Sequence, residues 1–386
     1  MTKKKLVALI VGGALFVGLA AYGFLASARL EPVTSLSVSS DGRYVISVHE
    51  DARMVLWDLE QRKREVLSKT ANLYSAYFIE NSDAFLWQDL DDVVHVQRVD
   101  GEVIEAFEHF PTYGHVMSHD REHYLSANRT WNIYHGHGAA LRPVLRDSRS
   151  PSFTGTGQVL NLSIGGRYFV SGGSGSPGGE LEDSPPVREE EEFRFSSSYG
   201  GVTLWSLDTL APVAKLPGNS SKTYATISPD GQWVVSGDEN NLGFFWKTDS
   251  PDEKYDMANY FVGLYLGEDP NSYDGLWDKS QLIEAPEGAS AVTIALAFVN
   301  GSDEFLRLGT YSHYAALFEA GNPWPQKYFY LGDSPQPSVF DYSRNLSIDS
   351  APEANLLVTG HAFGGGITVY RYDPEARTLT KEWVGR

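Results

Sequence analysis

A chain of 386 residues with 31 Lys plus Arg against 50 Asp plus Glu carries a formal charge of −19. That balance argues against a nucleic-acid partner, because neutralising phosphates takes a basic face. The absence of cysteine excludes a disulfide framework, a thiolate nucleophile and a Cys-ligated zinc or iron–sulfur site. With 42% hydrophobic and 21% charged residues, 37 Gly and 19 Pro, the composition is that of a folded chain rich in strands and turns.

Residues 1–30 read as a membrane anchor. Lys3, Lys4 and Lys5 precede an uncharged apolar run from Leu6 to Leu25, and Arg29 follows it. About 20 helical residues at 1.5 Å each span the roughly 30 Å of a bilayer core, so one transmembrane helix is expected over 6–25. Three lysines before the run against one arginine after it put the N-terminus in the cytoplasm and residues 31–386 in the periplasm or cell exterior. The expected location is therefore the inner (plasma) membrane, in a single pass. Ala26-Ser27-Ala28 offers the alternative of cleavage after Ala28, which would release a secreted or periplasmic domain. The run is longer than the roughly 7 to 15 residues of a signal-peptide core and favours the uncleaved anchor.

Beyond residue 30 one pattern recurs: an apolar strand, a turn, a β-rich strand, a second turn, and a strand ending in an aromatic. The clearest copies are VTSLSVSSDGRYVISVHEDARMVLWDL from Val33 and KTYATISPDGQWVVSGDENNLGFFWKT from Lys222. Their Asp41-Gly42 and Asp230-Gly231 turns align, and Trp57 falls opposite Trp246. Weaker copies start at Tyr74, His115, Leu160, Val292 and Leu346, with Val96, Tyr134, Trp205, Phe318 and Tyr370 in the aromatic slot. Set aside the N-terminal segment and two interruptions, and about 43 residues remain for each of seven units, the length of a four-stranded blade.

The chain resembles the WD40 repeat family through Ser228-Pro229-Asp230-Gly231 and the Trp57-Asp58 pair, with Trp205 in the slot of the fourth unit. The resemblance implies an all-β, seven-bladed β-propeller over 31–386, with six or eight blades as alternatives. It also implies a protein-interaction scaffold. The Gly-His dipeptide usual before the first strand of such repeats is mostly missing. The blades are therefore expected to be held by apolar packing and turns rather than by a histidine network.

Two insertions interrupt the repeats. Residues 174–198 fall between the second and third strands of the fourth unit and carry Glu180, Glu182, Asp183, Glu189, Glu190, Glu191 and Glu192, an acidic stretch suited to a basic partner. Residues 249–279, read as lying between the third and fourth strands of the fifth unit, collect Tyr255, Tyr260, Phe261, Tyr265, Tyr273 and Trp277. Crowded aromatics anchor interfaces and stack on sugars, which makes this the first choice for partner contact. In an antiparallel meander those two connections leave from opposite ends, so the insertions are expected on opposite faces.

No catalytic motif survives inspection. His115, His119 and His123 have the spacing of one helical face, but Ser118-His119-Asp120-Arg121 aligns with the Ser228–Gly231 turn, so they straddle a strand turn. Gly173-x-Gly175-x-x-Gly178 leads into acidic residues and Pro185-Pro186 instead of a helix that could face a pyrophosphate. Inner-strand residues read as Ser37, Ser75, Thr226, Ala295 and Ser347, small or weakly polar where a calcium site would want carboxylates. The expectation is a non-catalytic, membrane-anchored platform with no cofactor, binding other envelope or membrane proteins. A carbohydrate or envelope-ligand binder is the alternative, and a channel-centred metal or quinone-dependent enzyme comes third.

Overall fold

Alternating apolar residues punctuated by Asp-Gly and similar turns build short antiparallel meanders, each too small to be stable alone. A computed structural model describes residues 30–386 apart from 74–75, 113, 119, 128–132, 138–139, 144–157, 175–201, 217–218, 220–222, 239–241, 258–282, 284, 288, 290–292, 310–313, 332–344 and 362–364. The described residues form seven four-stranded sheets, each consecutive in sequence. Blade one holds β1 (Val33–Val38), β2 (Tyr44–His49), β3 (Met54–Asp58) and β4 (Lys63–Ser68). Blade two holds β5 (Tyr77–Phe78), β6 (Ala84–Gln88), β7 (Val93–Arg98) and β8 (Val103–Glu108). Blade three holds β9 (Gly114–Met117), β10 (Tyr124–Ala127), β11 (Ile133–His135) and β12 (Arg142–Pro143). Blade four holds β13 (Gln158–Gly165), β14 (Tyr168–Ser174), β15 (Val202–Ser206) and β16 (Pro212–Leu216). Blade five holds β17 (Thr223–Ile227), β18 (Trp233–Asp238), β19 (Gly243–Lys247) and β20 (Ser250–Asp256). Blade six holds β21 (Thr293–Asn300), β22 (Glu304–Gly309), β23 (Tyr314–Glu319) and β24 (Lys327–Tyr330). Blade seven holds β25 (Asn345–Ala351), β26 (Leu356–His361), β27 (Ile367–Asp373) and β28 (Thr378–Gly385). The expected seven-bladed propeller is present. Among the described residues no helix is long and apolar enough to cross a membrane, and the expected anchor over 6–25 lies outside them.

The core lies between sheets, where the second and third strands of one blade meet the next. Leu30, Val33, Val45 and Trp57 of the N-terminal blade pack with Ala351, Val358, Ile367 and Val369 of the last one. The ring therefore closes through side chains. β28 completes the four strands of blade seven, and among the described residues no N-terminal strand is lent to it.

Because first strands all run the same way, the turns from first to second and from third to fourth strand share one face, here the turn face. Second-to-third links and the connections between blades share the other, the crossover face. This corrects the placement of the second insertion. β20 occupies Ser250–Asp256 and pairs with β19 across the short Thr248-Asp249 turn, so the long connection of blade five begins after its fourth strand. It leaves on the crossover face. The connection between β14 and β15 leaves there too, so both connections start from one face instead of from opposite ones.

Candidate functional site

The turns that rim the turn face are built the same way wherever the sequence allows. In blade five the Ser228 hydroxyl donates to Asp230 Oδ1 at 2.6 Å and accepts the Trp233 N–H at 2.9 Å, while Asp230 Oδ1 accepts the Gln232 N–H at 2.9 Å. Burial raises the Asp230 carboxyl, but Ser228 and the backbone donors outweigh it and hold the group below the usual carboxylate range. Gly231 closes the turn at φ 74° and lies against Gly165 and Gly166 of blade four, where a Cβ would meet the Gly165 carbonyl at 2.6 Å. Blade one repeats the unit with Ser39 and Asp41. Blade three repeats it with Ser118 and Asp120, using Arg121 at φ 63° in the glycine position. The three-histidine spacing thus resolves as read from the sequence: His115 lies in β9 and His123 follows the turn, while His119 is outside the described residues.

Between these turns the central channel opens as a cavity of about 470 Å³. Its wall includes Ser37, Tyr77, Glu80, Asp230, Asp349 and Glu353, four carboxylates with no Lys, Arg or His beside them among the described residues. Register assigns one channel layer to Ser37, Tyr77, Val116, Ser163, Thr226, Ala297 and Asp349, because each pairs with the same position of its second strand. The sequence reading placed Ser75, Ala295 and Ser347 in that layer, two residues too early. A two-residue slip preserves which face a side chain points to while changing its depth, so it hid a carboxylate behind a serine. Among the described residues no group of three or more metal-ligating side chains is placed to hold an ion.

Layer side chains stitch one blade to the next. Asp349 Oδ2 accepts the Val38 N–H at 2.8 Å and the Ser37 hydroxyl at 3.0 Å, across the seam between blades seven and one. Ser37 Oγ in turn accepts the Phe78 N–H of blade two at 3.0 Å, and Ser163 Oγ accepts the Ile227 N–H of blade five at 3.4 Å. The half-buried Asp349 is reachable from the channel yet enclosed by the ring, and burial pushes its carboxyl up to about 6 against the pull of those donors.

A second polar system corrects the expectation of blades held by packing and turns alone. Trp57 Nε1 donates to Ser47 Oγ at 2.8 Å, Ser47 lies 2.9 Å from His49 Nε2, and His49 Nδ1 lies 2.7 Å from the Glu31 carbonyl. A carbonyl only accepts, so His49 carries its proton on Nδ1 and Ser47 donates to Nε2. Burial lowers the His49 pKa and keeps the ring neutral for this relay. Trp205 Nε1 donates to Ser171 in the same way at 3.1 Å. In blade two the partners trade strands: Trp87 stands in the position of Ser47 and donates to Gln97, in the position of Trp57, at 3.0 Å. The slot of blade two is therefore Gln97 rather than Val96, and that of blade three is Gly136 rather than Tyr134. Buried Tyr124 fills the space, packed edge-on to Phe107 at 5.2 Å, with His137 stacked on Phe107 at 4.0 Å.

Other sequence candidates divide clearly. Trp246 is buried in blade five, and Asp58 caps the turn after β3 by accepting the Gln61 N–H at 2.8 Å. Tyr255 lies in β20 and stacks on Phe245 at 5.1 Å, so it packs against its own blade. Tyr260, Phe261, Tyr265, Tyr273 and Trp277 lie outside the described residues, as do Glu180, Glu182, Asp183, Glu189, Glu190, Glu191 and Glu192.

Residues 26–58 and 210–247 match the family model "WD domain, G-beta repeat". These two segments are similar to WD40 repeats, and they contain the Trp57 and Trp246 slots. The whole fold is similar to the β-propeller domain of Myceliophteria thermophila Cps50 (Swd1), at 12% identity and a TM-score of 0.59 over 89% of this chain and 98% of that one. No curated protein matches the chain in sequence.

Proposed function

We propose that this protein is a non-catalytic interaction platform, a WD40-like propeller held at the inner (plasma) membrane by residues 6–25 and presented to the periplasm or cell exterior for envelope or membrane proteins. The observation that carries the reading is the channel mouth. Its rim is cross-tied between blades by Ser40 to the Asn81 N–H at 2.8 Å and by the Pro229 carbonyl to the Gly166 N–H at 3.1 Å, so it offers a preformed surface. Its carboxylates repel polyanions and admit neutral or cationic groups. The apolar run 6–25 and the lysines before it support the anchor and its orientation.

The test is affinity purification of the full-length tagged protein from its native membranes in mild detergent, alongside a variant carrying Glu80→Gln and Glu353→Gln. A stoichiometric set of membrane or envelope proteins that is lost in the variant is the expected result. Bait recovered alone, under conditions that preserve other envelope complexes, overturns the platform reading.

A further inference from the structure

Chain geometry fixes which face of such an anchored propeller is free. Leu30 is 3% exposed and packs into the seam between blades one and seven, so the chain is pinned from that residue onward. Glu31 is held by His49, and the Pro32 carbonyl accepts the Glu50 N–H at 2.9 Å. The chain reaches β1 across the crossover face, where Leu30 and Glu31 lie so close over Gly365, in the link from β26 to β27, that a Cβ there would collide with both. Gly365 has φ 57°, which favours glycine for its backbone as well.

The apolar run ends at Leu25, leaving residues 26–29 between the expected membrane span and the pinned Leu30. Leu25 and Leu30 are five Cα-to-Cα steps apart, at most about 18 Å when fully extended, and the polar headgroup layer outside the hydrocarbon core takes up about 5–7 Å of that. A blade is about as thick as a strand of five or six residues is long, roughly 17–20 Å. The turn face therefore lies farther from Leu30 than the tether can reach, and the propeller cannot invert to lay it on the bilayer.

We infer that the short tether from Leu25 to the pinned Leu30 holds the crossover face against the bilayer surface and leaves the turn face, with the acidic channel mouth, as the surface offered to partners. The inference rests on the anchor reading of residues 6–25. The apposition comes from tether length rather than adhesion, since the crossover turns nearest the anchor carry Glu50, Asp51, Asp89, Asp91 and Asp92, which an anionic lipid surface does not attract. The connections that follow β14 and β20 both leave the described strands on this membrane-proximal face.

The native chain has no cysteine, which makes each face addressable by one substitution. Leu90→Cys marks the crossover face, at the link from β6 to β7, where Leu90 is 62% exposed. Gln232→Cys marks the turn face, where Gln232 is exposed beside the Asp230 turn. Each full-length variant, in sealed vesicles with the propeller outward, is treated with a bulky polyethylene-glycol maleimide and, separately, with a small maleimide that corrects for local reactivity. Corrected labelling at Leu90→Cys is expected to be roughly tenfold slower than at Gln232→Cys, because the polymer coil is wider than the gap of about 13 Å that the tether leaves beyond the headgroups. The two rates should converge once the protein is denatured. Equal corrected rates in a protein that resists carbonate extraction overturn the orientation and leave the anchor standing. Release by carbonate, with a mature chain beginning at Arg29, overturns the anchor and the orientation with it.

Discussion

Blades one and two solve one problem in mirror fashion. In blade one a tryptophan on the third strand donates to a serine on the second; in blade two a tryptophan on the second strand donates to a glutamine on the third. The layer requires a large ring whose indole N–H is satisfied between those strands, and either strand can supply it. The surroundings differ. Trp57 is 1% exposed and its relay runs on to the backbone of residue 31, whereas Trp87 is at the margin of burial and stacks on His95 at 4.2 Å. Blade one is thus both a packing unit and the point where the N-terminal chain is secured.

The largest effect that breaks this comparison is removal of the blade-one ring. Trp57→Ala should cost about 3–5 kcal/mol, read as a lower urea midpoint, because it empties the seam that closes the propeller and removes the indole N–H that Ser47 accepts. Trp87→Ala should cost less, since its ring is shared with the partly exposed His95.

The next effect is specific to the seam. The folded pKa of Asp349 is raised to about 6, so its ionised form is disfavoured in the folded state. Its contribution is fully present below the unfolded value near pH 4 and is lost as pH rises through 6, by up to about 3 kcal/mol. Asp349→Asn should flatten that part of the stability–pH curve measured by urea unfolding, and should be at least as stable as wild type at pH 7. In blade two the sign reverses. Burial raises Asp89, but the bond to His95 and the backbone N–H donors outweigh it and lower its pKa, so its contribution is lost as acid protonates it. Asp89→Asn should remove some of the acid sensitivity that Asp349→Asn leaves.

Smaller differences sharpen the contrast between the relays. Ser47→Ala should cost about 1–2 kcal/mol, because Trp57 and His49 both lose a buried partner. Gln97→Ala, at a half-buried position with one indole bond, should cost about 0.5–1 kcal/mol in the same assay.

What the sequence made legible follows from this physics. The Asp-Gly turns and the Trp57 and Trp246 slots were readable because turn chemistry and an aromatic at fixed spacing occur together in those two units, and seven repeats followed from their length. The slots of blades two and three were not, since an alignment guided by apolar and aromatic letters cannot see that Gln97 and Gly136 occupy them. Asp349 escaped because strand alternation fixes the face of a residue but not its depth. The fourth strand of blade five escaped because an outer strand meets water on its open edge. Its sequence, SPDEKYD, is polar and looks like loop until Tyr255 is seen stacked on Phe245. That misreading also put the start of the long connection at the wrong end of the blade.

The closure of blade seven by its own fourth strand has a consequence for biogenesis. In a ring that shares a strand between its first and last blades, the first segment made must wait for the last before its sheet is complete. Here every sheet is a contiguous stretch of chain, so each blade can form its meander as soon as it emerges from the ribosome or from a translocation pore, using only local contacts. The one step deferred to the end of synthesis is the docking of two finished sheets at the Asp349–Val38 seam, and no unpaired strand edge in blade one is left waiting for a missing partner.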